Sequence, residues 1–191
     1  MKPRLARIVM TAGLLTALVA GPAHAASSQF TAAHAARACA GANRIPTSAT
    51  LSRAARSTVC LLNAQRAAHG LRRLQPNRLL NRSARRYAHS LVAHRFFSHV
   101  SPSGQTLQAR MSRSGYLRGA IGWAYGEHLA WGAGPKATPA QIVSAWMASP
   151  PHRANILSAR WRNIGIGIAP GAPVSGVGRA ASYVTHFGWR G

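Results

Sequence analysis

The chain has 191 residues, which suits one domain with a single sizeable core, and 47% of them are hydrophobic, which excludes a disordered tail. Its charge is lopsided: 24 Lys and Arg stand against one acid, Glu127, for a formal net charge of +23. That balance excludes paired-carboxylate glycosidase centres, aspartic dyads, EF-hands, carboxylate-held Mg²⁺ and any triad that needs Asp, so anionic side-chain chemistry must run through Glu127.

Residues 1–25 read as a signal peptide. Lys2, Arg4 and Arg7 form a basic start, Ile8 to Ala20 an apolar run, and Ala23-His24-Ala25 a small-x-small cleavage pattern. The run is too short to span a bilayer comfortably and no stop-transfer helix follows, so an exported protein without a transmembrane span is expected, secreted or otherwise extracytoplasmic. An uncleaved anchor is the alternative. Residues 26–50 are Ala-, Ser- and Thr-rich without apolar periodicity and form an N-terminal arm; the domain occupies 51–191. Cys39 and Cys60 are the only cysteines. An even count in an oxidising compartment favours a disulfide that staples arm to core, against two free thiols.

From Ser52 the pattern is helical through Val59, Leu62 and Arg66, with Gly70 placed to end it. Pro76 and Asn77 open a second helix, whose Leu80, Ala84, Tyr87, Ala88 and Leu91 make one buried stripe. A short helix runs from Thr106 to Ser114 and stops at Gly115. Gly122 to Gly132 is aromatic and reads as a strand. Thr138 and Pro139 open a further helix carrying Ile142, Ala145 and Trp146, and Pro150 and Pro151 end it. Strands follow over Arg162–Ile168 and Ala180–Phe187, joined by the Gly-rich connection Gly171–Gly178. Helices first, strands mostly later and no βαβ alternation give an α+β fold with an antiparallel sheet covered by helices.

Generic catalytic motifs are missing: there is no Gly-x-Ser-x-Gly elbow, phosphate loop or His-Glu-x-x-His, and Gly165-Ile-Gly167 lies in an alternating strand with no helix after it. His89, His94 and His99 recur every five residues, so they cannot share one helix face. Asn63 and Arg66 are expected to brace the first helix to its neighbours, and Trp123, Trp131 and Trp146 to lie in the core. A nucleophilic pairing of Ser101 or Ser103 with His99 lacks an orienting third group. The positive charge has three readings: attraction to a polyanion, a compositional bias towards Arg, or an acidic habitat in which few carboxylates remain to be protonated.

A series of motifs carries more. Leu61-Leu-Asn-Ala-Gln-Arg66, Phe97-Ser-His-Val-Ser-Pro-Ser-Gly104 and Gly126-Glu-His-Leu-Ala-Trp-Gly132 come in order. Ala145-Trp-Met-Ala-Ser-Pro-Pro-His-Arg-Ala-Asn-Ile-Leu157, Asn163-Ile-Gly-Ile-Gly-Ile168 and Tyr183-Val-Thr-His-Phe-Gly188 follow. Across residues 52–188 the series resembles the CAP superfamily (cysteine-rich secretory proteins, antigen 5 and pathogenesis-related 1 proteins), in its bacterial SCP-domain branch. The resemblance implies an α-β-α sandwich, secretion, and a cleft lined by two His and two acids. His99, Glu127 and His152 match three of those cleft positions. Ser103 stands where the fourth acid, commonly Asp, is found, and His128 replaces the Asn that usually follows the Glu.

Two imidazoles and a carboxylate, His99, His152 and Glu127, are a ligand set for Zn²⁺ or another divalent metal with an open position. Alternatively, Glu127 is the anionic hub of a hydrogen-bond network with His99, His152 or an Arg. His128, next to Glu127 on a strand, should point to the opposite face. Two functions follow. The first is an exported, monomeric module, non-catalytic or weakly metal-binding, whose basic surface holds it to anionic cell wall, acidic lipid or extracellular nucleic acid. The second is a metal-assisted hydrolase of peptide or wall material working through His99, Glu127 and His152.

Overall fold

The computed structural model describes residues 38–191; the signal-peptide reading and residues 26–37 of the arm lie outside them. Helix α1 (Leu51–Ala67) is followed by a two-residue strand β1 (Gln75–Pro76), then α2 (Arg78–Ala93) and α3 (Leu107–Ser114). Strand β2 (Trp123–Ala133) leads through a 3-10 turn into α4 (Pro139–Ala148) and α5 (Pro150–Ile156), and strands β3 (Asn163–Pro170) and β4 (Ala180–Arg190) close the chain. The helix starts are chemically specified. Asn77 accepts from the amides of Leu79 and Leu80, Thr106 from Ala109 and Thr138 from Gln141, the usual satisfaction of orphan N–H groups. Gly115, at φ +83°, ends α3 in the left-handed conformation.

The sheet order is β1-β3-β4-β2. Its three long strands are antiparallel, as expected, while the short β1 adds a parallel pairing to β3 at one edge, so the sheet is mixed. Helices cover both faces. Ile164, Ile166 and Ile168 of β3 pack with α1, α4 and α5 in the larger core, around Leu61, Leu62, Trp146 and Phe187. The residues between them face α2: a Cβ at Gly165 or Gly167 would collide with the α2 backbone at Leu80–Asn81 and Ala84–Arg85. The Gly-Ile-Gly run therefore exists to let a helix lie directly on a strand.

Asn63 grips Leu74 from both sides, its Oδ1 accepting from the amide at 2.7 Å and its Nδ2 donating to the carbonyl at 3.1 Å. Arg66, fully buried, donates Nε to the Arg72 carbonyl and Nη1 to the carbonyls of Ile156 and Ser158 at the C-terminal end of α5. A guanidinium there meets orphan carbonyls and the negative end of the helix. Cys39 and Cys60 are disulfide-linked, tying the segment before α1 to that helix.

Two expectations need correction. Pro150 and Pro151 end α4 but also begin α5, because Pro is tolerated in a helix's first turn, where no intrahelical partner for N–H is needed. Trp146 is buried and bonds the Leu129 carbonyl, but Trp123 and Trp131 are exposed, and Trp123 stacks on Tyr125 instead of entering the core. Among the described residues no helix is long and apolar enough to cross a membrane.

Candidate functional site

Glu127 lies in the middle of β2, directly opposite His186 of β4 in the antiparallel register. Both side chains are buried, and the His186 Nε2 donates to Glu127 Oε2 at 2.8 Å. Arg110, buried on α3, sends Nη2 to both carboxylate oxygens at 2.9 and 2.8 Å. His99, in the loop after α2, donates Nδ1 to Oε1 at 2.8 Å while the rest of its ring is exposed. Glu127 is thus the inner end of a clamp made from one strand, one helix and one loop. Arg110 also ties the loop down through the His99 carbonyl, 2.9 Å away, and its guanidinium lies 3.4 Å above the centre of the Tyr87 ring, a cation–π contact in a desolvated place. Tyr87 in turn donates to the Ser98 carbonyl at 2.7 Å.

The electrostatics follow from those partners. Burial alone would raise the Glu127 pKa, but hydrogen bonds from His186 and His99 and the charge of Arg110 outweigh it and bring it down to about 2. His99 is raised above its ordinary value, chiefly by the bond to Glu127. His186 is lowered, because burial outweighs its contact with the carboxylate. Counting His186 as the cation of an ion pair conflicts with that direction. The neutral form fits better: Arg110 already balances Glu127. The His186 Nδ1, without a partner among the described residues, costs less as a bare lone pair than as the N–H of a buried imidazolium.

His128, one residue on, faces the other way. Its ring packs edge-on against His152 with centroids 4.7 Å apart and against Phe187 at 4.9 Å, with Trp146 at 5.4 Å. Asn155 of α5 orients it. Trp161 Nε1 donates to the Asn155 Oδ1 at 3.1 Å, which leaves the Asn155 Nδ2 to donate to His128 Nε2 at 2.8 Å. Burial, with His152 adding repulsion, pushes the His128 pKa down to about 3, so the ring is neutral.

Of the cleft residues named from sequence, His99 and Glu127 meet directly, and His152 stands near enough to His99 for the two imidazoles to repel when charged. His152 bonds Ser149 through Nδ1 at 2.7 Å and leans on His128; the partners of Glu127 are Arg110 and His186. Ser103 pairs with Ser101, hydroxyl to hydroxyl at 2.9 Å, and the His99 Nδ1 is committed to Glu127 rather than to either serine. The expected divalent-metal set does not fit this carboxylate. Both its oxygens are occupied by donors, and a dication would sit against a guanidinium that has no other counter-charge nearby. Among the described residues no three His, Cys, Asp or Glu side chains are grouped as a metal requires. Sequence reasoning missed Arg110 and His186. The second belongs to the Tyr-Val-Thr-His-Phe-Gly motif, whose place opposite Glu127 depends on a register set by the connection before β4.

The family model of the CAP proteins, described as the cysteine-rich secretory protein family, matches residues 59–185. The chain belongs to that family. Solved CAP-type structures share its fold. An extracellular SCP-domain protein of Bacillus anthracis superposes with a TM-score of 0.58 at 23% identity, over 74% of this chain and 43% of its own. An outer surface protein of Borrelia burgdorferi gives 0.57 at 22% identity, over 70% of this chain and 90% of its own. The CAP chain here thus spans under half the length of the Bacillus protein. No curated protein matches it in sequence.

Proposed function

We propose that this CAP protein is an exported, non-catalytic binding module that attaches, as a monomer, to anionic envelope or extracellular polymer through its basic surface. One observation carries the reading: the only acidic side chain, Glu127, is buried and fully engaged, whereas every Lys and Arg from Arg44 to Arg190 is exposed except Arg66 and Arg110. No exposed carboxylate side chain offsets the field, and such a surface attracts polyanions in a salt-sensitive manner. The leader-like residues 1–25, the disulfide, and the extracellular and outer-surface descriptions of the structural relatives support export. The metal-assisted hydrolase alternative relies on Glu127, both of whose oxygens already accept from His99, Arg110 and His186.

Binding to purified anionic polymer across a salt series tests the reading. The logarithm of affinity should fall linearly with the logarithm of salt concentration, with a slope of several units. Salt-independent affinity, or turnover of wall material by the purified protein, would contradict it.

A further inference from the structure

The basic surface is not uniform. Between α2 and α3 it folds inward into a small pocket of about 250 Å³, lined by Arg82, Ser83, Arg86 and Ser90 of α2 and by Arg110 and Arg113 of α3. Positions 82, 86 and 90 recur every fourth residue, so they share one helix face, and Arg113 approaches from the opposite wall. We propose that this pocket binds a phosphoryl group borne on a small polyol or sugar, as in the repeating unit of a phosphodiester polymer. The inference rests on the proposed attachment to anionic polymer and assigns it a specific seat.

Three features point to this ligand. First, the donors are arginines, whose planar forks match phosphate oxygens bidentately. Arg82 is held in place by its bond to the Ser114 carbonyl at 3.2 Å, while Arg86 and Arg113 are exposed and donate to no protein acceptor among the described residues. Second, the Ser83 hydroxyl in the lining makes no protein hydrogen bond among the described residues, so it is free to meet a ligand oxygen. Third, no carboxylate reaches the pocket. Glu127 balances Arg110 from behind, so Arg82, Arg86 and Arg113 remain unneutralised.

Size and character narrow the class. The pocket is smaller than the ~300–1,000 Å³ that encloses drug-sized ligands, so it takes one phosphate and its immediate substituent, with the rest of the polymer outside. A larger groove of about 880 Å³ runs along the other side of α2, lined by Arg56, Arg78 and Arg85 together with Asn81, Ile166 and Ile168. It has more than three times the volume of the pocket, so its charges attract a polymer without enclosing a single phosphate.

The two concavities provide the control. Titration calorimetry at 150 mM salt would compare a synthetic glycerol phosphate oligomer, free glycerol 3-phosphate and inorganic sulfate. The proteins would be the wild type, the double variant Arg86→Gln/Arg113→Gln in the pocket, and Arg56→Gln/Arg78→Gln in the groove. Both variants remove two positive charges at exposed positions, and thermal melts would verify that they fold. The proposal predicts at least a tenfold greater loss of oligomer affinity for the pocket variant than for the groove variant. It also predicts that glycerol 3-phosphate competes with the oligomer for the wild type and that sulfate does not. Equal losses in the two variants, or equal competition by sulfate, would overturn the pocket and leave charge-driven attachment standing. Absence of oligomer binding by the wild type even at low salt would overturn the attachment itself.

Discussion

Glu127 and His128 are consecutive residues of one strand, and the pleat delivers them into opposite chemistries. On the α2–α3 side, Glu127 is charged and clamped by Arg110, His186 and His99. On the α4–α5 side, His128 is neutral, stacked among Trp146, His152 and Phe187 and oriented by Asn155. Both are ionisable and buried, so burial alone does not decide the charge state. Partners do. Glu127 has a guanidinium and two imidazole donors, whereas His128 has one amide and aromatic rings, and each therefore settles into the form its neighbours favour.

The largest break in that comparison is Glu127→Gln. It removes the counter-charge of a buried Arg110 and should cost about 3–5 kcal/mol, read by chemical denaturation at neutral pH. A loss below 1 kcal/mol would mean that the clamp does not hold the fold.

Acid separates the two sides next. Glu127 is lowered from its ordinary 4.5 to about 2, so its contribution is complete above pH 4.5 and is lost progressively as the pH falls from there through 2. His128 is lowered from 6.5 to about 3, which has the opposite consequence. Below pH 6.5 the unfolded chain takes up a proton that the native ring refuses, and stability falls by about 3 kcal/mol by pH 4. His152 and His186, also lowered, add in the same direction. Denaturation midpoints at pH 7 and pH 4 should therefore differ, and His128→Asn should shrink the difference whatever it does to absolute stability. An undiminished difference would assign the acid sensitivity elsewhere. The result bears on the acidic-habitat reading of the composition: few carboxylates are available to protonate, but buried imidazoles restore an acid liability.

The smallest effect belongs to His99. Its folded pKa is raised, so its contribution is complete below pH 6.5 and is lost as the pH rises through that raised value. Because the ring is exposed, His99→Ala should cost less than ~1 kcal/mol, and more at pH 6 than at pH 9. A cost that does not change with pH would mean that its bond to Glu127 is a neutral one.

Much of this arrangement was legible in the sequence because it is local. Thr138-Pro139, Thr106 with Gly115, and the alternating isoleucines of β3 each specify an element within a few residues. What was not legible depends on distant parts of the chain. The pairing of β1 with β3 involves two residues of each strand, brought together across four helices and strand β2. The opposite placement of Glu127 and His128 followed from strand alternation, but the cation for Glu127 had to be chosen from many arginines, and nothing local marks Arg110. The ambiguity at Pro150 is of another kind, since a proline that stops one helix is equally suited to start the next.

The central claim is that Glu127 serves the fold while the exposed arginines serve attachment. The most direct test is to measure, on the same samples, the thermal stability and polyanion affinity of wild type and Glu127→Gln, at a temperature where the variant is still folded. The account predicts a lower melting temperature with polyanion binding and its salt dependence retained, the affinity equal to or greater than that of wild type. A Glu127→Gln protein that melts like wild type but loses binding or a hydrolytic activity would contradict it.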